Sequence, residues 1–188
     1  MSPAVDDPRL EELWADHAIH QVLLRYCRGI DRLDEALVRA CYHPDARDER
    51  GTFEGGVDEL VDWSFRLLQR FTMTTHHLAN VLVEVAGPVA LAESYLIAHH
   101  RSTTEPTHPG RNFSLGFRFV DRFEERGGEW RIAHRVGITE WHREEVGPPF
   151  VAPEGTRSAA RDGADVVQWL VPEVSGPAAA GGPQTRAT

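Results

Sequence analysis

The hydrophobic pattern of this chain changes period once, near Phe71, and that change limits the folds open to it. Before Phe71 the apolar residues recur at helical spacing, in three runs. Ile19, Val22, Leu23, Tyr26 and Ile30 define a first stripe within residues 9 to 30, with Asp6 or Asp7 and Pro8 as a start signal and Gly29 weakening its end. A second helix follows, capped by Asp34, stapled by Leu33 and Val38, and stopped by Pro44. The segment ARDERGTFEGG reads as a short hairpin or irregular edge, and Val57, Leu60, Val61, Ser64, Leu67, Leu68 and Phe71 mark a third amphipathic helix. After Phe71 the period is two, predicting strands near residues 74 to 85, 89 to 101, 112 to 124 and 129 to 142. The links AGP, TTEPTHPG and ERGG are rich in turn formers, so the strands read as an antiparallel meander. Helices first and strands after, without βαβ alternation, imply an α+β layer in which a strongly curved sheet wraps around its helices.

From about Gly147 the sequence turns to Pro, Gly, Ala and Ser, so the packed domain is expected to span residues 1 to 146 and a tail residues 147 to 188. Within the tail, the apolar segment at 165 to 171 can close over a cavity mouth, dock on a second subunit, or remain a sticky patch in a disordered linker. The net charge is −9 and all 20 strong cations are scattered arginines, which argues against nucleic acid as a partner. No stretch reaches the roughly 20 apolar residues of a membrane helix, and the N-terminus lacks the profile of a secretory signal. A cytoplasmic protein is expected, with Cys27 and Cys41 as reduced, packed thiols. Ten histidines raise the question of a metal. No HxH with a downstream carboxylate, HExxH or cysteine pair supports one, and no nucleophile motif supports covalent catalysis.

The order of elements, with LLRYCRGIDRLDEALVRACYHPDA, the strand TTHHLAN and the final GGEWRIAHR, resembles the SnoaL-like branch of the nuclear transport factor 2-like superfamily over residues 9 to 142. The resemblance implies a cone-shaped, cystatin-like α+β barrel with three N-terminal helices packed into a curved, mostly antiparallel sheet. It leaves the activity open, because the superfold hosts dehydratases, isomerases, cyclases, dehydrochlorinases and non-enzymatic binding modules. The scytalone dehydratase and bile acid dehydratase groups are the nearest functional analogues. They pair a helix-end aspartate with a strand histidine at the bottom of an apolar cone.

Carried onto this chain, the resemblance places Asp31 on the family aspartate and His76, in Thr74-Thr75-His76, on the histidine, with Asn80 following. A second histidine falls on the His99-His100 pair. Strand alternation admits only one of the two to a cavity, and His100 is preferred because it puts Ala92, Ser94 and Ala98 on the same side. Ser114 resembles a substrate-contacting serine, and Arg135 lies where dehydrochlorinases carry a functional arginine. Two family tyrosines are missing, replaced by Arg50 and Ile30, and Tyr26 is the nearby phenol that remains.

This constellation implies an acid–base dyad. An aspartate that accepts from one imidazole nitrogen fixes the tautomer and leaves the other as a base. His76 would then abstract a proton next to a carbonyl, Tyr26 or His100 would donate to oxygen, and Arg135 would hold a negative oxygen. Each residue also has a plainer reading. Asp31 can cap a loop, Tyr26 can be ordinary core, and Arg135 can pair across the sheet with a carboxylate. The expectation is a cofactor-independent lyase or isomerase, active as a homodimer on a cyclic or polycyclic apolar molecule such as a polyketide, steroid or aromatic metabolite. The alternative is a non-catalytic binding module or an auxiliary subunit of a ring-hydroxylating oxygenase.

Overall fold

A computed structural model describes residues 7–102, 112–145, 153–157, 159–162 and 165–167. Helix α1 (Pro8–Arg32) begins at Asp7, whose carboxylate accepts from the Arg9 amide at 3.0 Å, with Pro8 in the first turn where its missing N–H costs nothing. It ends at Leu33, which adopts the left-handed conformation. Gly29 therefore lies inside the helix, not at its end. A Cβ there would fall 2.8 Å from Val38 Cγ2, so the missing side chain lets helix α2 (Glu35–Ala40) pack closely across α1.

Asp34 caps α2 as expected, accepting from the Leu37 amide at 2.9 Å, but Pro44 is not what stops the helix. The helix is over by Ala40, and Pro44 lies in strand β1 (Tyr42–Arg50), where the pairing register shifts between Tyr42 and Arg47 and tolerates a residue without an amide proton. Strand β2 (Phe53–Gly56) returns antiparallel to β1, and helix α3 (Val57–Leu68) follows, leaving Phe71 beyond its end. The four long strands are β3 (Met73–Ala86), β4 (Val89–Arg101), β5 (Asn112–Arg126) and β6 (Glu129–Glu145).

All six strands form one sheet in the order β2-β1-β6-β5-β4-β3. The meander is antiparallel, and among the described residues only the β1–β6 pairing is parallel. The sheet does not close on itself, because β2 and β3 are its edges. Bulges between Leu78 and Val81, Gly116 and Phe117, and Arg122 and Phe123 bend it around the helices.

The inner face carries Ala90, Ala92, Leu96, Phe119, Phe123 and Ile132 against Ile19, Val22, Leu23 and Ile30 of α1 and Leu60, Val61, Phe65 and Leu68 of α3. Each large aliphatic or aromatic side chain so buried stabilises the fold by about 1.5–3 kcal/mol. This is the α+β layer with a curved sheet anticipated from the change of period, and it agrees with the cone that the family resemblance implies.

The chain divides into two compact units, Met1–Val151 and Ala152–Thr188. In the second, turns are closed by Thr156 N–H to Pro153 O at 3.1 Å and Asp165 N–H to Asp162 O at 3.1 Å. Of the apolar segment at 165 to 171, positions 168 to 171 lie outside the described residues. Among the described residues, no helix is long and apolar enough to cross a membrane.

Candidate active site

The first unit contains a cavity of about 350 Å³ between the helices and the inner face of the sheet. Its walls are mostly apolar: Ile30 from α1, Trp63, Leu67 and Leu68 from α3, and Phe113, Leu115, Phe117 and Phe119 from β5. The polar exceptions are Tyr26, Arg50, Thr52, Ser64, His76, His100 and Thr139. An oily chamber with a few converging polar groups is the usual form of a small-molecule site.

Asp31 sits in the last turn of α1, the helix that packs on β3. Its Oδ1 lies 2.7 Å from His76 Nδ1, and its Oδ2 accepts the His76 backbone N–H at 2.9 Å. The two bonds grip both the ring and the main chain of the same residue. An ionised Asp31 requires the proton on Nδ1, so Nε2 carries the lone pair. His76 also lines the cavity. Alternation sends its neighbour His77 to the outer face, where it is exposed.

The same alternation resolves the histidine pair on β4. His100 lines the cavity, with its ring centroid 5.9 Å from that of His76. Phe113 stacks on His100 at 4.5 Å and Phe71 meets it edge-on at 5.0 Å, fixing the ring plane. His99 points to the other face, where its Nδ1 lies 2.7 Å from Ser114 Oγ and its ring 5.5 Å from that of His77. Ser114 and His99 therefore stand outside the cavity together.

Two other candidates also lie elsewhere. Asn80 is exposed in the β3 bulge, where the register shift breaks the alternation that would have turned it inward after His76 and Leu78. Arg135 is 0% exposed and bonded in bidentate fashion to Asp121, its cross-strand partner, at 2.7 and 2.6 Å. Its guanidinium lies 4.3 Å from the Tyr26 ring centre and 4.2 Å from that of Phe119, behind the two rings that face the cavity. It cannot touch a ligand there without displacing them.

Beside Arg135 runs a polar chain that joins two of the candidates, Arg50 and Tyr26, to two residues the sequence did not single out, Tyr42 and Asp48. Tyr42 Oη donates to Asp48 Oδ2 at 2.9 Å, and Asp48 also binds the Arg50 guanidinium through Nε at 2.6 Å and through Nη2. Arg50 Nη1 then donates to Tyr26 Oη at 2.7 Å, while Arg135 Nη1 approaches Tyr42 Oη at 3.3 Å. Burial pushes the Tyr42 phenol well above its ordinary value, so it stays a donor to Asp48. Burial also pushes Asp121 upward, outweighing the Arg135 charge beside it. Asp48 falls in the segment read as an irregular edge and Tyr42 lies just before it, next to the expected helix stop at Pro44, and nothing local in the sequence marks them as buried. Cys27 and Cys41, both buried and reduced, are pushed up by burial to about 12 and about 11 and are poor nucleophiles.

Chemically, the cavity offers an imidazole base oriented by a carboxylate, a second imidazole, and a phenol backed by a guanidinium. Among the described residues, no three His, Cys, Asp or Glu side chains are grouped as metal ligands would be.

Comparison with known proteins bears on the fold that holds this geometry. No curated protein matches the chain at the sequence level. A hexachlorocyclohexane dehydrochlorinase, LinA type 2, superposes with a TM-score of 0.69 at 17% identity, covering 78% of this chain and 99% of the other. A candidate scytalone dehydratase of Novosphingobium aromaticivorans gives 0.63 at 21% identity, covering 78% and 97%. A candidate aromatic ring hydroxylase of the same organism gives 0.63 at 16% identity, covering 72% and 94%. At these identities the likeness speaks for the fold. The family model described as the SnoaL-like domain matches residues 11–136, most of the first unit. The chain therefore belongs to the SnoaL-like domain family.

Proposed function

We propose that this protein is a cofactor-independent lyase or isomerase that moves protons on a cyclic, largely apolar small molecule of the polyketide, steroid or aromatic kind. The observation that carries the reading is the Asp31–His76 hydrogen bond of 2.7 Å at the wall of an apolar cavity. His76 Nε2 takes a proton from the carbon next to a carbonyl, and the electron pair of the broken C–H bond moves into the carbon–carbon bond and onto oxygen. Asp31 stabilises the imidazolium so formed. Tyr26 donates a hydrogen bond to the charged oxygen. In an elimination the pair then returns to form the double bond and expels the β-substituent, a hydroxyl leaving as water with a proton from His100. In an isomerisation the proton returns to another carbon. The LinA type 2 and candidate scytalone dehydratase structures, which share the fold, lend the lyase reading support.

The binding-module and oxygenase-subunit readings would not need a base aimed into the cavity. A homodimer through the outer face of the sheet fits Leu82, Leu91, Ile97 and Trp141, which stay exposed there.

The test needs no knowledge of the natural substrate. 1-Tetralone, a two-ring ketone, is incubated with the protein in D2O and the loss of its α-hydrogens is followed by NMR. The wild-type chain should accelerate exchange and His76→Ala should not. Equal rates in the two proteins would remove His76 as a base.

A further inference from the structure

Among the described residues, the hydroxyl proton of Tyr26 in the cavity wall finds no acceptor. Tyr26 is 2% exposed, lines the cavity, and accepts from Arg50 Nη1 at 2.7 Å. A guanidinium has donors only, so the Tyr26 hydroxyl proton must point away from it. Among the described residues, Tyr26 donates to nothing. A buried phenol whose oxygen is held on one side presents its proton on the other, toward a ligand.

Arg50 is itself held rigidly. Asp48, 2% exposed at its side chain, grips it through Nε and Nη2, and Tyr42 Oη ties Asp48 back into the Asp121–Arg135 pair. Two guanidiniums and two carboxylates cancel in this chain of contacts. The polar end of the cavity thus donates a hydrogen bond while carrying no net charge. That combination suits a neutral oxygen. A carbonyl needs one donor, whereas a carboxylate entering an apolar cavity loses its hydration and gains no uncompensated cation in return. The volume of about 350 Å³ matches roughly a dozen groups of water size, enough for two fused rings.

We propose that Arg50, fixed by Asp48, is a positioning residue that turns the Tyr26 hydroxyl into the cavity, creating a binding site for a neutral ketone-type oxygen that discriminates against carboxylates. This rests on the proposed proton-transfer reading only for the location of the site. Its test reads binding and bond polarisation rather than turnover.

1-Tetralone labelled with carbon-13 at the carbonyl is bound to the full chain and its C=O stretch recorded. The band should move to lower frequency than in an apolar solvent. Tyr26→Phe should abolish that move, and Arg50→Met should remove most of it and broaden the band. His76→Ala should keep it, so failure of the base assignment would not mask the result. 1-Naphthoate should bind at least about tenfold more weakly than 1-tetralone, a gap of about 1.4 kcal/mol. Asp48→Asn, which leaves the Arg50 charge uncancelled, should narrow or reverse that gap. An unshifted band in the wild type, the full shift in folded Arg50→Met, or equal binding of the two probes overturns the proposal. If Arg50→Met does not fold, Asp48→Asn decides, and unchanged selectivity in that variant overturns it.

Discussion

Asp31, half-buried, and Asp121, fully buried, are both carboxylates hydrogen-bonded to a nitrogenous side chain, yet their surroundings differ in the one respect that matters for chemistry. The Asp31–His76 pair keeps 13% and 9% of its side-chain surface accessible, and the imidazole opens on the cavity. The Asp121–Arg135 pair keeps none, and the rings of Tyr26 and Phe119 separate it from the same cavity. Arginine cannot give up its proton in a protein, so the sealed pair has no second state to offer. Histidine can, and only an imidazole beside a void can pass the proton on. The comparison separates a pair that holds the fold from a pair that can act on a ligand, although both look alike as strings of charged residues.

The same substitution in the two aspartates gives the largest expected contrast. Asp31→Asn should lower the rate of α-hydrogen exchange on 1-tetralone by about 10²–10⁴, because an amide no longer selects the Nδ1 tautomer or stabilises the imidazolium. Its melting temperature should change little. Asp121→Asn should do the reverse. It leaves Arg135 buried without its counter-charge and should cost about 3–5 kcal/mol of stability, read by urea unfolding, with exchange per folded molecule nearly unchanged. If Asp121→Asn stopped exchange without destabilising the protein, the division between the pairs would collapse.

A more gradual effect, spread over several pH units, comes from the thiols beside the sealed pair. Cys27 and Cys41 are pushed up from 9.0 to about 12 and about 11, burial outweighing the attraction of Arg135. Below pH 9 folded and unfolded chains both keep these protons, and the thiols' contribution to stability is fully present. As pH rises from about 9 toward 11 and 12 the unfolded chain ionises first, so stability falls, by up to about 1.4 kcal/mol per pH unit for each thiol. The buried Tyr42, raised well above its own ordinary value, pulls the same way. Unfolding curves from pH 8 to 11 should show this decline, and iodoacetamide at pH 8 should label neither cysteine in the native chain. Native labelling would mean the interior is not sealed.

These two classes of residue were not equally visible in the sequence. The change of period near Phe71 was enough for the helices, the meander and their order, because burial on one face imposes 3.6 on a helix and 2 on a strand. Strand β1 was not legible in the same way. Its ARDER run is charged, and its parallel partner β6 comes from the far end of the chain, so no local pattern announces it. Asp31 and His76 lie 45 residues apart, and it was the family resemblance, not spacing, that joined them. Alternation told His100 from His99 because β4 runs unbroken through that region, whereas the resemblance carried Asn80 onto a stretch where β3 does not. For Arg135 the resemblance supplied a ligand-binding role, and the plainer reading a cross-strand carboxylate without saying which. An inward arginine reads the same whether it meets a ligand or Asp121, and only the β5–β6 register decides.

The smallest expected effect tests the outer face. Ser114 is 5% exposed and bonded to His99, so its burial alone would mark it as important. Its side chain, however, projects from the opposite face of β5 to Phe113 and Leu115, which line the cavity. Ser114→Ala should cost on the order of 1 kcal/mol through the lost hydrogen bond and leave both the exchange rate and 1-tetralone affinity where they were. Asn80→Ala, in the exposed bulge, should change neither stability nor exchange measurably. A fall in exchange for Ser114→Ala comparable to that of Asp31→Asn would mean that chemistry crosses the sheet through the His99–Ser114 contact. Burial depth, rather than the face a residue occupies, would then be the better guide to function in this cone.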